Sequence, residues 1–459
     1  MTKLSQTSNP LAPINELDDF LERNPDLTGI DAFIVDVNGQ AIGKRLPVSQ
    51  GRRLFQSGVN FSACAPLLDC RGRGHNPVGL GGSDGDPDGN ALPLSGRLAR
   101  VPWARSPVAQ VMCAMREFGT REPMWFDQRV ILENLIAECR AHGIRPVMAC
   151  ELEFYLVDPS RTTQGQLQLA NNPRTHTAPN RPTNLSLESI EERADFLAQI
   201  EAAAAAQGVP LAGAVAEYGI GQYEVNIHHV SDALLAADHA VLLRRLVRGV
   251  ARANGMDATF MAKPFKDQPG SGLHVHISLI DEDNHNRFAG PAGEALLGEA
   301  IAGMQSLMFD SVALFAPNFN SFRRFLGPFV PNTISWGHNN RSVAFRVPAS
   351  SGPDTRIEHR VAGADASPHL VVAGVLAAVL HGISNRLIPV TPAAQGRVPA
   401  VRDPSFPRTL WHALDRLEAS ELLSKYFPHR YLEAYAQLKR GECETLFEDI
   451  SARELDYYA

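Results

Sequence analysis

The sequence predicts an α+β protein in which a small β-rich unit precedes a larger mixed one, and three observations carry that prediction. A hairpin pattern opens the ordered part of the chain at residues 31–43, and helical and strand-like segments interleave beyond Asp127. Several strand-like segments carry alternating polar residues and none opens into a glycine-rich phosphate loop, which argues against a doubly wound parallel sheet.

In residues 31–43 apolar side chains alternate around Asn38-Gly39, a strong turn signal between two strands. A polar leader, residues 1–28, precedes it and contains a short helical stretch at 14–21. Further strand-like pieces run to residues 108–114, past a Gly- and Asp-rich stretch at 79–90, so the first unit is placed at 29–119 and the second at 120–459. There Asp127 reads as the N-cap of a helix carrying Ile131, Leu135, Ile136 and Cys139 and stopped by Gly143. Residues 188–207, stopped by Gly208, and 231–254, closed by Gly255, are further helices. Residues 147–157, 221–228, 272–280, 343–347 and 356–361 read as strands.

Composition narrows the functional classes. The 459 residues carry a net charge of -7 with both signs mixed throughout, so no basic surface is concentrated enough to neutralise nucleic-acid phosphates. The six cysteines, Cys64, Cys70, Cys113, Cys139, Cys150 and Cys443, form no C-x-x-C pair and read as reduced thiols. The N-terminus lacks the apolar core of a secretory signal, and the longest apolar run, 370–383, is too short to cross a bilayer. A cytoplasmic protein with neither membrane nor nucleic acid as partner is expected.

Four strand-like segments carry candidate chemistry, because residues two apart in a strand share a face. Glu151 and Glu153 form one pair; Glu217 and Glu224 bracket a Gly-Gln turn; His274 and His276 follow Gly270-Ser-Gly; Arg356, Glu358 and Arg360 share a third strand face. Each alone has a plain structural explanation, as a strand's wet face, a satisfied core histidine or an ion-pair ladder. Buried like charges are costly without a cation between them, and a set rich in carboxylates with one imidazole suits Mg²⁺ or Mn²⁺ better than structural zinc. Arg324, Arg341 and Arg346 add guanidinium groups in apolar surroundings, where they usually hold carboxylate or phosphate. Metal-binding carboxylates together with anion-binding arginines are what phosphoryl transfer from ATP to a carboxylate requires. An Asp84-Gly-Asp86-Pro-Asp88 run imitates a calcium loop, but its twelfth position is Ser95 and Pro87 interrupts it.

The ordered set Glu-x-Glu, Glu-x6-Glu with an internal Gly-Gln, Gly-Ser-Gly-x-His-x-His, Asn-Ser-x-x-Arg, Asn-Arg-Ser and Arg-Ile-Glu-x-Arg resembles the glutamine synthetase superfamily. The resemblance runs from about residue 31 to the end, including Tyr431, Tyr435, Lys439 and Glu442. It implies an N-terminal β-grasp domain before a catalytic α+β domain, assembled into a dodecamer of two hexameric rings. It further implies Glu153, Glu217 and Glu224 as ligands of one metal and Glu151, His274 and Glu358 as ligands of the metal bridging the ATP phosphates. Gly270, Arg324 and Arg360 would bind glutamate. His276, Ser278, Arg341, Arg346 and Arg356 would hold nucleotide and transferring phosphate, with Arg341, Arg346 and Glu358 the catalytic group.

Ammonia-using members carry an Asp in the N-terminal domain and a Glu on a flap. The corresponding segments here read Asn60-Phe61-Ser62-Ala63 and Leu326-Gly-Pro-Phe-Val330-Pro331. An ammonium ion needs anionic or carbonyl ligands to offset its desolvation, whereas Phe329 and Val330 suit an amine with apolar surface of its own. The pattern is similar to the γ-glutamylpolyamine synthetase branch, with glutamate, ATP and a primary amine as substrates. An ammonia-using glutamine synthetase and a non-catalytic homologue are the competing readings.

Overall fold

The computed structural model describes residues 11–182, 184–327, 329–399 and 402–459. Residues 1–10 of the expected leader and Pro328 of the flap segment lie outside them.

The first sheet contains β1 (Gly29–Val35), β2 (Ala41–Pro47), β3 (Val59–Ser62), β4 (Asp88–Arg100) and β5 (Val108–Glu117) in the order β2-β1-β5-β4-β3. β1 and β5 run parallel and the other pairs antiparallel, an arrangement of the β-grasp kind. The predicted hairpin is β1–β2. Its turn is held by Asp36, whose Oδ1 accepts the N–H groups of Asn38 (2.9 Å) and Gln40 (2.8 Å).

The second sheet contains β6 (Arg145–Arg161), β7 (Leu167–Leu169), β8 (Leu211–Ala216), β9 (Gln222–Ile227), β10 (Asp257–Thr259), β11 (Leu273–Ile280), β12 (Trp336–His338), β13 (Phe345–Val347) and β14 (Ile357–His359). Its main path is β12-β13-β14-β11-β6-β9-β8, with β7 and β10 pairing β6. Alternation splits this sheet chemically. Leu152, Phe154, Val225, Leu273, Val275 and Ile357 are buried on one face in the apolar core, while the residues between them carry the charges.

Helices cover the apolar face. Gln128–Ala141 is N-capped by Asp127, which accepts the Arg129 N–H, and Ala233–Ala253 by Asp232. The single helix expected over 188–207 is two, Leu187–Glu191 and Ala194–Ala206. Arg193 interrupts it with non-helical backbone (ψ 17°), turning its side chain inward so that Nη2 donates to the Ala170 carbonyl at 3.0 Å. The apolar run became Pro368–Ser384, a helix buried on nearly every side rather than an amphipathic one. It crosses Gly290–Leu307 so closely that a Cβ on Gly303 would stand 2.6 Å from the Gly382 nitrogen. No helix among the described residues is long and apolar enough to cross a membrane.

The two sheets are fastened by buried polar contacts. Gln128 donates to the Val35 carbonyl (3.0 Å). From the helix His429–Phe447, Lys439 donates to Asn38 (2.6 Å) and Glu442 (2.8 Å), and Glu442 accepts the Cys70 N–H (2.9 Å). Of the C-terminal residues singled out in the sequence, Lys439, held by Glu442, therefore braces the β1–β2 turn, whereas Tyr435 donates to the Ala313 carbonyl.

Candidate active site

Strand register assembles the charged face row by row. Arg346, Glu358 and His276 stand opposite one another across β13, β14 and β11; His274, Glu151 and Asn226 across β11, β6 and β9; Glu153 and Glu224 across β6 and β9. Directly opposed strand residues share a face, so period-two spacing in three separate segments, joined by Glu224 of β9, becomes one contiguous patch.

His274 lies at its centre. Its Nδ1 is 3.5 Å from Glu151 and 3.8 Å from Glu358, and its Nε2 is 3.8 Å from Glu153. Two ligand groups result, Glu151/His274/Glu358 and Glu153/Glu224/His274, with ligand atoms within 4.8 Å of one another. A hard cation with bonds of about 2.1 Å separates its ligands by about 3–4 Å, so the spacing fits. His276 Nε2, 2.9 Å from Glu151, lies off the line of a hydrogen bond and is buried without a partner.

The electrostatics point the same way. Burial and the carboxylates of Glu151, Glu153 and Glu217 push Glu224 up to about 9, and burial and Glu153 raise Glu217. Against the penalty of burial, Arg360 and the two histidines bring Glu358 down to about 2. Glu358 accepts from Arg346 at 2.8 Å and is paired with Arg360. Burial and neighbouring carboxylates force Glu217 and Glu224 toward protonation, a repulsion that a divalent cation would relieve.

Residues 126–458 match the family described as glutamine synthetase, catalytic domain. The chain belongs to the glutamine synthetase family. It is 38% identical over 448 residues to the gamma-glutamylputrescine synthetase PuuA of Escherichia coli (strain K12), covering 96% of this chain and 94% of that one. It is 33% identical over 388 residues to a glutamate–isopropylamine ligase of a Pseudomonas species, covering 82% and 83%. Its fold matches that of a GmaS/ADP complex with a TM-score of 0.80 at 24% identity over 96% and 99% of the two chains.

Within this glutamine synthetase-type site the expected residues fall into three places. Glu151, Glu153, Glu224, His274 and Glu358 meet in two groups that could hold a cation; Glu217 is outside both compact groups, its carboxylate accepting the Tyr218 N–H at 3.1 Å. His276, Ser278 and Arg356 line an open cleft of about 320 Å³ with Asn226, His228, His229 and Asp354, whereas Arg341 and Arg346 are not in its wall. Arg341 is exposed, near enough to Glu217 to oppose its rise. Arg324 is buried, which pulls its guanidinium down to about 10, and donates to the Val361 carbonyl at 2.8 Å. Gly270 is required beside it, since a Cβ there would lie 2.6 Å from Arg324 Cγ.

Sequence reasoning passed over Gln222. It is buried, and its Nε2 donates to Glu153 Oε2 (3.2 Å) and the Gly270 carbonyl (3.1 Å) while its Oε1 accepts the Gly219 N–H (3.0 Å). Period two from Glu224 would have found it. The reading of Ser62 also changes: its hydroxyl donates to Asp86, so a carboxylate stands beside the position where the sequence showed only Ser.

Proposed function

We propose that the chain forms γ-glutamyl amides from L-glutamate and a primary amine at the expense of ATP, with a polyamine such as putrescine as first candidate and a small alkyl or aromatic monoamine as second. The enzyme is thus an ATP-dependent glutamate–amine ligase. The observation that carries this is the combination of a fully assembled acid–imidazole–guanidinium face with Phe329 and Val330 on the segment where an ammonia-using enzyme presents a carboxylate. Relatives named for putrescine and isopropylamine support it, and the meeting of five of the six expected ligands argues against a non-catalytic homologue.

Glu153, Glu217 and Glu224, and the set Glu151, His274 and Glu358, would hold two divalent cations, Mg²⁺ or Mn²⁺, which supply charge neutralisation for the phosphate oxygens. Arg360 helps keep Glu358 ionised, and Arg346 and Arg360 together orient it. Arg324 and Gly270, with Arg360, would seat glutamate, and His276, Ser278 and Arg356 the nucleotide end of the cleft. A γ-carboxylate oxygen of glutamate attacks the γ-phosphorus of ATP and ADP leaves; the amine nitrogen then attacks the acyl carbon, phosphate leaves, and the nitrogen gives up a proton. Arg341 and Arg346 would stabilise charge on the transferring group.

We also propose that the chains assemble in rings in a reducing compartment such as the cytoplasm. Exposed Leu446, Phe447, Ile450, Tyr457 and Tyr458 ask for a covering surface, and all six cysteines are unpaired.

ADP release with ATP, Mg²⁺ and glutamate against ammonium, putrescine, spermidine, ethanolamine, isopropylamine and aniline tests the function. The largest kcat/KM is expected for a primary amine, with ADP and phosphate as products; AMP and pyrophosphate would exclude the acyl-phosphate route. Asp86 beside Ser62 favours the second reading, an ammonia-using enzyme, and a highest value for ammonium would establish it.

A further inference from the structure

Tyr218 and Phe329 are 51% and 52% exposed, yet their rings lie 5.5 Å apart, tilted by 53°. Two large aromatic rings paired in water at the rim of a charged site leave apolar faces available to a third group. The backbone N–H of Tyr218 holds the Glu217 carboxylate, so the ring projects from the turn between β8 and β9 at the edge of the carboxylate patch. Phe329 comes from the segment following Ser321–Arg324, the short helix that carries Arg324. The pair thus bridges the acid-rich turn and the segment beyond the arginine expected to bind glutamate.

We propose that the Tyr218–Phe329 ring pair is the subsite for the hydrocarbon body of the amine substrate, a proposal that rests on the amine-ligase reading. An alkylammonium is attracted to aromatic faces and to the neighbouring Glu217, and its methylenes gain by leaving water against the rings. Apart from Glu217, the flanking residues Gly219, Ile220, Val330 and Pro331 are uncharged, so the pair reads the carbon chain next to the reacting nitrogen rather than a distant second charge. It therefore serves diamines and monoamines alike, and affinity should climb with the number of methylenes.

The test is the series methylamine to n-butylamine, scored as KM or, for an amine that is not turned over, as its inhibition constant against ammonium. In the wild-type enzyme each added methylene should tighten the constant about fourfold. Tyr218→Ala and Phe329→Ala should each weaken n-butylamine about tenfold and flatten the gradient to about twofold or less per methylene, whereas Tyr218→Phe and Phe329→Leu should keep it. Both side chains are half exposed, so either variant should fold, and either alone decides. A gradient unchanged in either alanine variant overturns the proposal. So does a uniform loss from methylamine to butylamine, which would mean that the rings only position Glu217. If ammonium is the preferred substrate of the wild type, the amine-ligase reading fails, and the gradient of inhibition constants still decides what the rings do.

Discussion

Two buried clusters of charge belong to opposite sides of the large sheet, and they are balanced differently. On the helix-covered side, Asp238 of Ala233–Ala253 accepts from Arg129 (3.1 Å) and Arg97 (3.2 Å) and meets His369 Nε2 at 2.9 Å, while Glu133 takes the remaining reach of Arg129 at 2.8 Å. Against burial, Arg129, His369 and Arg97 hold the Asp238 carboxyl well below the usual carboxylate range. On the open side, Glu151, Glu153, Glu217 and Glu224 crowd around His274, and Glu224 is driven up instead. One cluster is neutralised by its own chain and serves the fold. The other carries carboxylates that its own chain leaves unneutralised, and that imbalance, more than the mere presence of buried carboxylates, marks the candidate site.

The largest expected effect tests the unbalanced cluster. Glu153→Gln should lower kcat/KM by about a hundredfold or more at saturating Mg²⁺ or Mn²⁺, with the melting temperature nearly unchanged. Retained activity would reduce the carboxylate face to a structural ladder like the one at Asp238. The balanced cluster should answer in the opposite way. Asp238→Asn removes the carboxylate that Arg129 and Arg97 share and should cost about 3–5 kcal/mol in denaturant unfolding, with the ranking of amines unchanged; a loss under about 1 kcal/mol would show that the network is dispensable.

Divalent cations sharpen the contrast further. Added to chelator-treated enzyme at about a hundred times the dissociation constant, Mg²⁺ or Mn²⁺ should stabilise the wild type by about 2.7 kcal/mol. Glu224→Gln should lose most of that increment, whereas Asp238→Asn should keep it. Equal increments in wild type and Glu224→Gln, followed by differential scanning fluorimetry, would remove Glu224 from the ligand set.

How much of this was legible follows from the range of the interactions. Period-two spacing within one strand is local, so Glu151/Glu153, His274/His276 and Arg356/Glu358/Arg360 could be placed on strand faces, and the Asp127 cap marks a real helix start. Which strand pairs with which is not local. The sequence alone does not show that Glu358 stands opposite His276 or Glu153 opposite Glu224. The same limit hid the split at Arg193, whose cause is a carbonyl 23 residues away, and the meeting of Ser62 with Asp86. Gln222 was visible in the Gly-Gln turn but was read as part of the turn, because three of its four partners, Glu153, Gly270 and Ser271, come from distant segments and only Gly219 is local. Tyr218 and Phe329 were each visible as residues; their contact was not.

The smallest predicted effect separates two titrations within the balanced cluster. His239 is buried beside Asp238, and burial together with Arg97 pushes its imidazole down to about 4, although Asp238 and Asp232 pull the other way. Folded His239 stays neutral where the unfolded chain, near 6.5, takes up a proton, so its contribution is lost as pH falls from about 6.5 to 4 and is constant below that. The loss amounts to at most about 3 kcal/mol. Asp238 behaves differently: its folded pKa is depressed, so its stabilisation is present above the unfolded value near 4 and disappears only as pH falls further. The two windows barely overlap. Unfolding free energy measured from pH 7 to 4 should therefore fall in the wild type and fall less steeply in His239→Gln, where His359, pushed down to about 3 by burial, still loses stability over that range, while the steeper loss below pH 4 persists in that variant. A slope between pH 6.5 and 4 that His239→Gln leaves untouched would move the acid sensitivity elsewhere, and the balanced cluster would then carry a single titration, that of Asp238.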